Sequence, residues 1–202
     1  AVDLTQLGVQ LLSLSAHKIG GPPGVGALVA ADGLALAPLL RGGGQERRRR
    51  AGTENLPGIA GFAAAAREVA GALAAFARLA DLRDRIEAEA RAIAPDLRVF
   101  GAEAPRLANT TCLAMPGVKA ETQVMALDLA GVAVSAGAAC SSGKVAPSHV
   151  LQAMGVEDDL ADGAIRVSLG WASRPEDADL FLAAWAELYD KTRPKERAAG
   201  RL

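Results

Sequence analysis

From Leu97 onward the chain alternates short apolar runs with stretches whose apolar residues fall three and four apart, and this alternation limits its fold more than any other feature. Residues 97–100, 109–115, 132–135 and 164–169 read as strands, whereas Glu121 to Leu129, Ser148 to Met154 and Pro175 to Asp190 read as helices. Interleaving of this kind implies helices layered on a small sheet. Gly155 closes the second of these helices, and Ser173 and Glu176 stand at capping-box spacing before the last.

Upstream, Phe76, Leu79, Leu82, Ile86, Ala90 and Ile93 mark an amphipathic helix over about 72–94, closed by Pro95. A domain boundary is expected at its start, giving residues 1–72 and 73–202. A separate small-residue helix, Ile59 to Ala70, is expected after Pro57. Val9 to Leu14 reads as a short buried strand that delivers Ser15, His17 and Lys18 to a glycine-rich loop. Val25 to Ala30 reads as a second strand ended by Asp32-Gly33.

Composition narrows the classes. Half of the 202 residues are hydrophobic and 22% are charged, a globular balance rather than a disordered one. Aromatic residues make up 3% and the net charge is −1, so neither base-stacking platforms nor a broad phosphate-attracting field is expected. Direct nucleic-acid binding is therefore not expected. The two cysteines lie far apart with no metal-ligand spacing, so no disulfide framework and no metal site are expected. No uninterrupted apolar run reaches the roughly 18 residues that span a bilayer. Residues 1–15 lack the start and cleavage site of a signal peptide. A soluble, cytoplasmic protein without membrane contact follows as the expectation. The chain opens at Ala1-Val2-Asp3 without an initiator Met, which reads as a cut end.

Four residues carry candidate chemistry. Lys18, at a strand end before a glycine-rich loop, sits where a partly desolvated amine can form a Schiff base; a surface lysine is the competing reading. Cys140 lies among Ala, Gly and Ser, which leaves its thiol open to act as a nucleophile, against the common fate of a free thiol as a small hydrophobe. Arg166 interrupts an apolar strand. A guanidinium there either meets a carboxylate or points to solvent from an edge strand. Thr53, after Ala51-Gly52, either presents hydroxyl and N–H to a phosphate or caps the helix near Pro57. Cys112 reads as packing, and the Arg47 to Arg50 run reads as a solvated loop.

Taken in order, Ser15-Ala16-His17-Lys18-Ile19-Gly20-Gly21-Pro22-Pro23-Gly24, Gly42-Gly43-Gly44-Gln45-Glu46, Arg50-Ala51-Gly52-Thr53-Glu54-Asn55, Ser135 to Gly143 with Pro147-Ser148-His149-Val150-Leu151, and Ile165-Arg166-Val167-Ser168-Leu169-Gly170 strongly resemble the cysteine desulfurases of the NifS/IscS type (group I). The resemblance implies an α/β, class-V aminotransferase-like enzyme of pyridoxal-phosphate fold type I (aspartate aminotransferase-like). Here that means part of the large domain plus the small C-terminal α+β domain. It implies Lys18 as the residue bonded to pyridoxal 5'-phosphate, Ser15 and His17 on its phosphate, and Thr53 on the phosphate of a partner subunit in a homodimer. Cys140 is implied as the nucleophile that takes sulfur from L-cysteine as a persulfide, and Arg166 as the holder of the substrate carboxylate. Sulfur then passes to an acceptor for iron–sulfur cluster assembly or tRNA thiolation.

The resemblance covers the C-terminal half of such enzymes. Their preceding half supplies a ring-stacking His, an Asp on the pyridine nitrogen and a Gln on the ring oxygen, none of which has a counterpart here. On its own the chain is expected to hold the cofactor weakly. The alternatives are a selenocysteine lyase or other class-V transferase, and an inert dimerisation or sulfur-relay module.

Overall fold

The computed structural model describes residues 2–137 and 148–192. They fall into two compact units, one ending at Ala74 and one starting at Ala75. The division lies inside one continuous helix, α3 (Leu56–Ile93, 38 residues), rather than between the two helices expected from the sequence. Gly71 does not interrupt it. A helical glycine costs about 1 kcal/mol relative to Ala, and the alanine-rich turns around it absorb that penalty. α3 is also long and apolar enough, by length and composition, to cross a membrane, since its best 18-residue window has a mean hydropathy of 1.4. The run is not uninterrupted, as expected: Arg67 and Glu68 break it, and the mean stays high because its many alanines outweigh those two charges.

In the first unit, α1 (Leu4–Leu7) is capped by Asp3, whose carboxylate accepts the N–H groups of Thr5 and Gln6. β1 (Leu11–Ser15) pairs antiparallel with β2 (Gly26–Ala30), with Ser15 opposite Gly26. A side chain at position 26 would collide with the Leu14 carbonyl oxygen. A two-stranded ribbon covers neither of its faces. Leu11, Leu14, Leu28 and Val29 are therefore exposed, and β1 is not the buried strand its apolar pattern implied. The loop expected around Gly42 to Gly44 contains a four-residue turn, α2 (Gln45–Arg48), in which Glu46, Arg47 and Arg48 all have positive φ.

The second unit is a four-stranded antiparallel sheet in the order β3 (Arg98–Phe100), β4 (Thr110–Ala114), β6 (Ala164–Ser168), β5 (Ser135–Ala136). Alternation along each strand divides its two faces. Val99, Leu113, Ile165 and Val167 point to one face, where Ile86 and Ala90 of α3, Leu127 of α4 (Ala120–Leu129), and Phe181, Leu182 and Trp185 of α7 (Pro175–Thr192) form the main core. The opposite face carries Phe100, Cys112, Ala114 and Ala164 with Leu151 of α5 (His149–Ala153) and Ala161 of α6 (Asp158–Asp162). Ser173 does not form the expected capping box. Its hydroxyl accepts the Gly170 N–H, while the Asp177 carboxylate accepts the N–H of Arg174 and the Arg174 backbone carbonyl accepts the Asp177 N–H, and Pro175 opens the helix.

Arg106 ties the loop before β4 to two carboxylates of α3, Glu87 and, at 3.8 Å, Asp84. Arg106 donates to both carboxylate oxygens of the buried Glu87, at 2.5 and 2.9 Å, and Arg83 donates to the Leu107 carbonyl at 2.7 Å. Burial works against the Glu87 charge, but Arg106, helped by other groups that include Arg83, holds its carboxyl below the ordinary value of 4.5. A depressed carboxylate contributes stability that is present above its unfolded pKa and lost as pH falls through its folded pKa. Glu87→Gln is therefore expected to cost roughly 3–5 kcal/mol at neutral pH, the scale of breaking a buried ion pair. That deficit should close as urea titrations are moved into acid below about pH 4. A deficit that persisted unchanged in acid would show that the Glu87 charge is not what stabilises the loop.

Candidate functional site

Ser15 ends β1, and the chain turns at once into a 3-10 turn, Ala16–Ile19, that carries His17 and Lys18. Ala16 is fully buried and fixes the turn. Its N–H donates to the Val25 carbonyl at 3.1 Å, and its own carbonyl accepts the Gly21 N–H at 2.9 Å. Gly20 closes the turn at φ 84, a left-handed conformation that favours glycine. Gly61 of α3 lies against Pro22, where an added Cβ would come within 2.9 Å of the ring, so the small-residue start of α3 braces the loop after Lys18. Lys18 and His17 are exposed within this unit, so the amine is held in place by backbone but is not desolvated as expected.

Thr53 belongs to the same unit and is exposed just before α3. The cap of that helix is Asn55, not Thr53: its side-chain oxygen accepts the Gly58 N–H at 3.2 Å and its carbonyl the Ile59 N–H at 2.9 Å. With capping supplied two residues later, the Thr53 hydroxyl has no assigned role in local structure. The Gly43 to Arg50 segment is tied back by the Ala51 N–H, which donates to the Leu40 carbonyl at 3.0 Å.

Arg166 lies in the second unit. On β6 it is half-buried, opposite Cys112 on β4 and Ser135 on β5. A cavity of about 300 Å³ opens on this face, walled by Phe100, Cys112, Val150, Leu151, Met154 and Arg166, with Gly137 and Ser148 at its edge. Arg166 is the one charged side chain among its described lining residues. Burial pushes the Cys112 thiol up to about 11, with the Arg166 charge opposing, so it stays protonated near neutral pH. Cys140 lies outside the described residues; the segment that contains it leaves the described chain at Gly137 and rejoins it at Ser148.

Gln123 escaped the sequence reading. Fully buried, it donates to the Val118 and Gly163 carbonyls at 3.0 and 2.7 Å and accepts from Trp185 Nε1 at 3.3 Å. It thereby fixes the residue that precedes β6. Gly163 is itself confined, with an added Cβ 3.0 Å from the Val118 carbonyl oxygen. A glutamine on a helix normally reads as a solvated position, so no sequence signal marks it.

The family model for class-V aminotransferases matches residues 1–181. The chain belongs to this family. Class-V aminotransferases are generally pyridoxal-phosphate dependent. Among curated relatives, a cysteine desulfurase of Cereibacter sphaeroides is 46% identical over 185 residues, covering 92% of this chain and 47% of that protein. One from Rhodobacter capsulatus is 44% identical, covering 96% and 50%. A NifS-like protein from Rickettsia africae has the same fold, with a TM-score of 0.82 at 32% identity over 94% of this chain and 50% of that one. The chain thus spans about half the length of the curated relatives it matches. Fold type I is shown by these neighbours, with a mixed α/β architecture. The donor set of the first unit fits the family's cofactor. One amine is available for an aldehyde, and a hydroxyl and an imidazole at the same turn can reach a phosphate.

Proposed function

We propose that this chain works as part of a pyridoxal-phosphate-dependent L-cysteine desulfurase that forms L-alanine and passes sulfur to an acceptor. Support comes from the half-buried Arg166, which makes no ion pair among the described residues, in an apolar cavity, together with relatives named as cysteine desulfurases. The single carrying observation is that cavity. An apolar pocket with one cation suits a small amino acid held by its carboxylate.

Lys18 would hold the cofactor through its amine, with Ser15 and His17 as hydrogen-bond donors to its phosphate. Thr53 would reach the phosphate bound by the partner copy in a homodimer. When bound, the cofactor supplies an electron sink for the carbon next to the substrate carboxylate. Lys18 Nζ would take the proton from that carbon and return it as L-alanine forms. Arg166 orients the substrate through its carboxylate. Cys140 thiolate attacks the substrate sulfur: an S–S bond forms, the C–S bond breaks, and the carbon keeps the electron pair and is protonated on the way to alanine. The outer sulfur of the Cys140 persulfide then passes to an acceptor for iron–sulfur cluster assembly or tRNA thiolation, in the cytoplasm.

Borohydride reduction in the presence of pyridoxal 5'-phosphate tests the assignment. Label is expected on Lys18 and not on Lys119, Lys144, Lys191 or Lys195, because Lys18 is the one lysine among the described residues that follows a strand end whose turn is locked by a buried Ala16. Peptide mapping that placed the label on one of the other lysines would overturn it.

A further inference from the structure

Strand pairing puts four residues on one rung: Phe100 opposite Cys112, Cys112 opposite Arg166, and Arg166 opposite Ser135. Directly opposed residues point to the same face of a sheet, with Cβ atoms about 4.5–5.5 Å apart. Cys112 and Arg166 both open onto the cavity of about 300 Å³. Arg166 makes no ion pair among the described residues. On either side the rung offers it a thiol and a hydroxyl rather than a carboxylate. Neither is a carboxylate, so no described neighbour on the rung supplies an anion to the guanidinium fork, and a half-buried cation is costly until one arrives.

We infer that Cys112 and Arg166 form one carboxylate subsite, in which Arg166 binds the acid and Cys112 is the wall that contacts the carbon beside it. The proposed reading assigns this site to Arg166 alone and treats Cys112 as packing. The inference rests on that reading only for the identity of the natural acid, an α-amino acid. A carbon chain bonded to a carboxylate on Arg166 has to lie along one wall of the cavity, and of the two residues opposite Arg166 on the rung it is the Cys112 thiol, soft and uncharged, that lines that cavity. Bulk added at position 112 would narrow the subsite, and a negative charge there would close it by pairing with Arg166.

The test uses the Cys140→Ser chain, in which Cys112 is the remaining thiol. Iodoacetate and iodoacetamide both alkylate a thiolate, with an S–C bond formed and iodide leaving, and they differ in charge. The expected ratio of iodoacetate to iodoacetamide rates at Cys112 is roughly tenfold above that of the same chain unfolded in urea, the scale of one charge-assisted contact. Taking a ratio removes the slowness that burial of the thiol imposes on both reagents. L-Alanine should protect against iodoacetate more than against iodoacetamide, and Arg166→Gln should return the ratio to the unfolded value. A folded ratio equal to the unfolded one, or one that L-alanine leaves unchanged in the chain with Arg166 intact, overturns the inference whether or not Arg166→Gln folds. Alkylation needs neither cofactor nor turnover, so its failure is distinguishable from failure of the Lys18 labelling.

Discussion

Trp185→Ala is expected to lower the stability of the second unit by about 4–5 kcal/mol, the upper end of what removal of a buried aromatic costs. Trp185 is fully buried and packs between Phe181 and Tyr189, each with its ring centroid 6.4 Å away. Truncation would open a cavity between the sheet and α7. It would also leave the Gln123 side-chain oxygen without the Trp185 Nε1 donor at 3.3 Å, an orphaned buried acceptor that costs roughly 1–3 kcal/mol. A domain typically has 5–15 kcal/mol in total, so the variant should populate unfolded second unit at moderate urea. Trp185→Phe keeps most of the ring volume and loses the hydrogen bond, so its cost should be less than half as large. Urea titration followed by far-UV circular dichroism measures both. Equal losses in the two variants would mean that the hydrogen bond, rather than the packed ring, supplies the stability.

What was legible in the sequence was local. The four strands and three main helices of the second unit follow from short apolar runs and three-to-four spacing, and their observed bounds differ from the expected ones by a few residues at most. The misses are of two kinds. α6 and α1 are too short for periodicity to mark, and α3 reads as two helices because its small-residue start, Ile59 to Ala70, and its amphipathic continuation carry different patterns on one continuous helix. Other misses depend on residues far apart in the chain. Whether Arg166 faces solvent or a pocket, and whether Cys112 is packing or pocket wall, depends on the pairing of positions 112 and 166, which no local pattern encodes. Gln123 likewise acquires meaning only from Gly163 and Trp185, 40 and 62 residues away. The motif around Lys18 was legible because its backbone demands are local: a strand end, a turn on Ala16, and glycine where φ is positive. Its solvation was not, since exposure depends on what covers the ribbon.

Cys140→Ser is expected to abolish sulfur transfer, by on the order of a thousandfold or more, the scale of losing a nucleophile. The assay is cysteine-dependent sulfide release in a chain of the relatives' full length that carries these 202 residues. A thiol is a few per cent thiolate at neutral pH, whereas a serine hydroxyl is essentially un-ionised and a poor nucleophile toward sulfur. Size and hydrogen-bonding capacity hardly change, so cofactor absorbance and cysteine binding should survive while persulfide and alanine formation collapse. Cys112→Ser should behave differently. Burial pushes the Cys112 thiol up to about 11, so at neutral pH it supplies almost no thiolate to compete with Cys140. On the carboxylate wall, the change should alter KM by no more than about threefold, a fraction of one hydrogen bond, and leave kcat in place. If sulfide release persisted in Cys140→Ser and vanished in Cys112→Ser, the two thiols would have the opposite roles, and the cavity beside Arg166 would be the place where sulfur is taken up.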